Sequence, residues 1–249
     1  MSGSNRYHTG LNPNVQLNNY NLNRVYVPSS LGDSFENNSL QKLSTEYEIR
    51  KMIGQNPGLK RILADNGLKI NSNIKELDNL MHGHAQDTAD IAAAIVKNLT
   101  PALRQKVDIK LLKESAMLHD FGKVLIPDEI LNKPAILTPQ ERKIMNLHPE
   151  LGYQLLKNTN VNREVLNLVR NHHSPEKAPF DINLQILSLA DKYSALTEKR
   201  VYKESYSEQK ALTILYSEVK KGNIHPLLFN ALVKAVSPKK QTNTTSKLM

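Results

Sequence analysis

Eight histidines occur in the 249-residue chain, and six of them, His82, His84, His119, His148, His172 and His173, lie between positions 82 and 173. Neutral imidazole is the commonest protein ligand for transition metals, so the clustering points to metal chemistry. His119 is followed directly by Asp120, then by Phe121, Gly122 and Lys123. Neighbouring side chains point about 100° apart on a helix, but at a fraying end both can reach one ion. An isolated His-Asp pair reads as a satisfied polar helix end. Here His84, His148, His172-His173 and Asp191 join it, each beside the apolar stripe of its own helix. Packing the stripes together brings these groups to one centre. Burying them unpaired would be costly, and a metal removes the cost by taking their lone pairs. There are no cysteines. Structural disulfides, thiolate zinc sites and thiol catalysis are thereby excluded, and any metal falls to His, Asp or Glu.

The elements that must position these groups are helical. From Asp108, an N-cap, the residues Leu111, Leu112, Ser115, Ala116 and His119 share one face, and Gly122 is placed to end the helix. Thr138, Pro139 and Glu141 form an N-cap, a proline in the first turn and a capping-box acid. From Asn162 the stripe runs Val165, Leu166, Val169, His172, His173, and from Asp181 it runs Ile182, Ile186, Leu189, Ala190, Tyr193. Two further helices cover Ser207 to about Lys221 and Pro226 to about Val236. Alternating strand patterns are missing, so the expectation is an all-α bundle with the His/Asp centre in its core. Residues 1 to 45 hold nine Asn among scattered apolar residues and read as a disordered arm; 46–236 is the folded domain, and 237–249 is a solvated tail.

Lys and Arg number 33 against 24 Asp and Glu, a formal charge of +9 and a pI near 9.5, which favours phosphorylated or polyanionic partners. Mean hydropathy is −0.47 and no stretch approaches the roughly 18 apolar residues of a membrane span. The first ten residues lack the apolar core of a secretory signal, so the expected setting is soluble and cytoplasmic. Nucleic-acid binding finds little support: no zinc finger or stacking platform is visible, with no Trp and 5% aromatics.

The ordered set His84, His119-Asp120-x-Gly122-Lys123, Leu-Thr-Pro-x-Glu, His148-Pro-Glu, His172-His173, Ala-Asp191-x-Tyr-x-Ala-Leu-Thr and Arg200-Val-Tyr202-Lys203 resembles the HD superfamily of metal-dependent phosphohydrolases. It is similar within it to the HD-GYP branch, whose characterised members hydrolyse cyclic di-GMP. The resemblance covers about residues 78 to 235. It implies two divalent ions, iron or manganese. His84, His119, Asp120 and Asp191 would hold one; Asp120, His148, His172 and His173 would hold the other. Two cations sharing a carboxylate stand about 3.5 to 4 Å apart and can activate a water toward phosphorus. Lys123 matches a phosphate-contacting lysine, and Arg200 and Lys203 match residues that grip substrate phosphates. For the last two, an ordinary solvated basic turn is the plain alternative.

Three departures qualify the match. The Gly-Tyr-Pro loop is gone, and the connection from Ser174 to Ala190 is short. Leu80 stands where some members carry a glutamate for a third metal, so a third ion is not expected. Ser194 replaces an acid that often follows the tyrosine, which weakens a hydrogen bond behind the metal ligands. The expected activity is hydrolysis of a phosphodiester or nucleotide phosphate, with cyclic di-GMP as a candidate. The alternative is a weakly active or inactive cyclic dinucleotide-binding scaffold. Expected partners are a phosphorylated small molecule or cyclic dinucleotide, and a protein recruited by the N-terminal arm. His82 falls on the opposite face from His84 and reads as surface; His8 and His225 lie outside the constellation. Met81, Met117 and Met145 read as packing.

Overall fold

The computed structural model describes residues 47–69, 83–175, 180–198 and 205–237, all in helices and the turns between them. Arg200 and Lys203, with His8, Leu80, Met81 and His82, lie outside the described residues. A helical stretch over 47–54 precedes α1 (Pro57–Asp65), which is capped by Asn56 Oδ1 on the Leu59 amide and opened by Pro57. Next come α2 (His84–Lys97), α3 (Pro101–Arg104) and α4 (Ile109–Leu118), and then a 3-10 turn over Phe121–Leu125. They are followed by α5 (Asp128–Leu131), α6 (Pro139–Met145), α7 (His148–Leu156), α8 (Arg163–Asn171), α9 (Ile182–Thr197), α10 (Glu208–Lys220) and α11 (Pro226–Val236).

The two expected caps are present. Asp108 and Thr138 accept hydrogen bonds from first-turn amides, as do Asn162, Asp181 and Ser207 at the other helix starts, and Thr138 with Glu141 closes a full capping box. Each such cap satisfies backbone donors that the helix cannot pair itself. His225 also caps, its Nδ1 accepting from the Leu227 amide at 3.2 Å.

Helix α2 lies at the centre, packed on α4, α9 and α11. Its buried positions are His84, Ala85, Thr88, Ala89, Ala92, Ile95 and Val96, a helical stripe of mostly small side chains that lets the neighbours come close. Helix α9 buries ten of its sixteen residues on several sides, as a helix packed against three or more partners must. Met117 and Met145 pack against the hydrophobic core.

One boundary differs from expectation. Gly122 does not end α4: that helix stops at Leu118, and Gly122 sits four residues further on in the 3-10 turn. Its purpose is close approach. A Cβ there would lie 2.0 Å from the His148 carbonyl oxygen and 2.4 Å from the Gly152 nitrogen. Glycine therefore lets the turn press directly on the start of α7.

Candidate metal centre

Five helices deliver polar side chains to one buried point. His84 opens α2, His119 and Asp120 follow the end of α4, His148 opens α7, His172 and His173 follow α8, and Asp191 lies within α9. His84, His119, Asp120, His148, His172 and Asp191 are all at most 6% exposed. His173 is the open member, its side chain 44% exposed at the edge of the cluster. All seven residues expected from the sequence are thus brought together.

Helix ends account for the ring orientations. His119, His148 and His172 each place Nδ1 at 2.7 to 2.8 Å from the carbonyl three residues back, on Ala116, Met145 and Val169. A carbonyl only accepts, so Nδ1 carries a proton and Nε2 faces the centre. That is the orientation that metal-ligating histidines take from such partners. His148 Nε2 and His172 Nε2 come within 3.2 Å of each other, two acceptors facing one spot. His119 Nε2 is buried without a hydrogen-bond partner.

Asp120 faces both halves of the cluster. Its Oδ1 is 3.1 Å from His148 Nε2, while its Oδ2 is 3.4 Å from His119 Nε2 and 3.8 Å from His84 Nε2. Lys123 Nζ reaches the same Oδ2 at 2.5 Å. Asp191 Oδ1 is 3.0 Å from His84 Nε2 and 3.7 Å from His119 Nε2, and its Oδ2 is 3.7 Å from His173 Nδ1.

The electrostatics agree. Burial alone would raise Asp120, but positive charge at His119 and Lys123 holds it well below the carboxylate range. Burial would likewise raise Asp191, and the His119 and His84 rings that face it hold it well below that range. Burial pushes His172 well below its ordinary value and carries His173 down to about 4. His119 goes the other way: burial opposes its charge, yet Asp120 and Asp191 outweigh it and raise the ring to about 10. A proton on His119 takes the place where charge balance calls for a cation.

Two ionised carboxylates among inward-facing imidazoles form a donor set suited to divalent transition metals. Three groups of ligand atoms lie close enough to share an ion: His84, His119 and Asp191; His148, His172 and His173; and His119, Asp120 and His172. The residues present fit such an ion, on the evidence of the orphaned His119 nitrogen.

The HD domain family matches residues 81–196, which span every one of these ligand candidates. This chain carries an HD domain. Among curated relatives, the cyclic di-GMP phosphodiesterase response regulator RpfG of Xanthomonas campestris pv. campestris (strain 8004) is 32% identical over 123 residues, 45% of this chain and 32% of that protein. A cyclic di-GMP phosphodiesterase of Vibrio cholerae serotype O1 is 35% identical over 136 residues, covering 47% of this chain and 26% of that protein. The 3'3'-cGAMP-specific phosphodiesterase 1 of the same organism is 24% identical over 211 residues, 81% of this chain and 48% of that protein. This HD chain thus spans less than half the length of each of these relatives. Among its described residues, no helix is long and apolar enough to cross a membrane.

Sequence reasoning missed two contributors. Ser194 was seen only as a lost acid, yet its Oγ lies 3.0 Å from His84 Nδ1. Glu198 was not singled out, and its Oε2 lies 3.7 Å from the same nitrogen. Both follow Asp191 at helical spacing, at i+3 and i+7, which is the signal that could have found them.

Proposed function

We propose that this HD chain is a metal-dependent phosphodiesterase that holds two divalent ions, iron or manganese, and cleaves a phosphodiester of a cyclic dinucleotide, cyclic di-GMP first among them. The observation that carries the reading is Asp120, whose two oxygens address His148 on one side and His119 on the other. His84, His119, Asp120 and Asp191 would hold one ion, and Asp120, His148, His172 and His173 the other. Bound there, the ions would supply Lewis-acid chemistry, lowering the pKa of water and polarising phosphoryl oxygen.

The chain's own residues do the rest. Carbonyls at Ala116, Met145 and Val169 hold the proton on Nδ1 of three imidazoles and turn their Nε2 atoms toward the centre. Lys123, its side chain 16% exposed, stands at the rim with its amine on Asp120, where a phosphate oxygen can become its second partner and find its charge neutralised. Arg200 and Lys203 would hold the outer phosphates, a role that rests on the resemblance. The net charge of +9 favours encounter with an anionic dinucleotide. The names of the relatives support the substrate class.

The short connection from Ser174 to Ala190 favours a second reading, in which the chain binds a cyclic dinucleotide without turning it over. One assay separates the two. Wild type and Asp120→Ala are supplied with Mn²⁺ and given cyclic di-GMP, 3'3'-cGAMP and bis-p-nitrophenyl phosphate, with products resolved by chromatography. The proposal expects wild type to cleave and Asp120→Ala to stay at background. Wild type no faster than the variant on all three substrates contradicts it.

A further inference from the structure

His84 differs from the other buried imidazoles in how its ring is held. It is the first residue of α2, and its Nδ1 is met from the neighbouring helix rather than by its own. Ser194 Oγ is 3.0 Å away and Glu198 Oε2 is 3.7 Å away, the two residues one helical turn apart at the C-terminal end of α9. The acid expected at position 194 is a serine, and a carboxylate arrives one turn later instead.

The chemistry of the two partners is not equivalent. A hydroxyl can donate or accept, so Ser194 alone leaves two tautomers open. In one, Ser194 donates to Nδ1 and Nε2–H donates to Asp191 Oδ1, 3.0 Å away. In the other, Nδ1–H donates to Ser194 and Nε2 keeps its lone pair. Only the second offers the Nε2 lone pair to a metal at this centre. A carboxylate oxygen accepts and does not donate, so Asp191 at Nε2 favours the first and Glu198 beside Nδ1 favours the second; with a cation to take up the Asp191 charge, Glu198 tips the ring to the second.

We infer that Ser194 and Glu198 act together as positioning residues for His84, Ser194 accepting the hydrogen bond from Nδ1–H and Glu198 favouring the tautomer that presents Nε2 to the metal centre. The inference rests on the proposed metal reading for its consequence, since an outer partner of a ligating histidine typically changes metal affinity by about 10- to 100-fold.

The test uses the full chain and four forms: wild type, Glu198→Gln, Ser194→Asp and the double variant. The first readout needs no metal: the ¹⁵N shifts of the His84 ring in the metal-free protein. Wild type should show a larger Nδ1–H share than Glu198→Gln, which moves the ring toward Nε2–H, and the double variant should restore that share. The second readout is Mn²⁺ affinity by competition with a chelator. Glu198→Gln should weaken it about 10-fold or more alone and not at all beside Ser194→Asp, because a carboxylate at 194 makes the one at 198 redundant. Glu198 is partly exposed and glutamine is its isostere, so the single variant is expected to fold, and its tautomer decides alone if Ser194→Asp does not. An unchanged His84 tautomer in Glu198→Gln, or an equal loss of affinity with and without Ser194→Asp, overturns the inference while leaving the metal proposal standing. A wild type that binds no metal while its tautomer responds as described overturns the metal proposal and keeps the positioning role.

Discussion

His84 Nε2 lies 3.0 Å from Asp191 Oδ1, across 107 positions of sequence and between the two helices that form the centre of the domain. The contact sets the register of α2 against α9, and it does so with a polar pair in a site almost closed to water. Such pairs are retained at a cost in stability, and a cation between the helices would offset that cost.

Metal loading is therefore expected to stabilise the fold. At a free concentration 100 times the dissociation constant, one site contributes about 2.7 kcal/mol. For a domain of this size that corresponds to a rise in Tm of about 5 to 10 °C. Differential scanning fluorimetry of chelator-treated protein with and without Mn²⁺ measures it. Asp120→Ala should respond far less.

The pH dependence of the metal-free protein follows from the cluster. His119 is raised from 6.5 to about 10, so its contribution is complete below pH 6.5 and is lost as pH climbs toward 10. His172 and His173 are depressed, the latter to about 4, so their contribution is present above pH 6.5 and lost as pH falls below it. Tm of the metal-free chain should peak near neutrality and fall on both sides. With metal bound, the His119 proton is displaced and the alkaline decline should disappear. A metal-free Tm that stays flat from pH 6.5 to 10 would contradict the assignment.

Gly122→Ala should damage the site although the residue bears no side chain. The new methyl meets backbone atoms of His148 and Gly152, which cannot swing aside, so the turn carrying Asp120 must shift relative to α7. A displacement near 1 Å can cost about 100-fold in rate. Gly54→Ala is the control, because nothing lies within 4 Å of a Cβ there. Far-ultraviolet circular dichroism would separate a shifted site from an unfolded chain.

Thr138→Ala removes the hydroxyl that accepts from the Glu141 amide and opens the capping box. A loss of about 1 kcal/mol is expected in urea unfolding. The site should be little affected, because α6 contributes no ligand and Lys133 still pairs with Glu141 at 2.6 Å.

The caps and ligands were legible in the sequence because both are local signals. Asp108, Thr138, Asn162, Asp181 and Ser207 announce helix starts within three residues, and each metal candidate sits on its helix's apolar stripe. Asn56 and Pro57 carried the same signal for α1 and could have been read too. Gly122 misled because a glycine after an apolar helix usually marks its end, whereas here the backbone of another helix needs the space. Ser194 and Glu198 were hidden for a different reason. Their meaning depends on which face of α9 meets the first residue of α2, and that is decided by packing between helices rather than by spacing within one.

The central claim is that Asp120 joins two metal ions in one hydrolytic site. Its most direct test adds Mn²⁺ in steps to metal-free protein while following the initial rate of cyclic di-GMP hydrolysis. The account predicts a rate that climbs and levels at two equivalents per chain, with Asp120→Ala at background throughout. A plateau at one equivalent, or a rate that metal does not raise above the variant's, would contradict it.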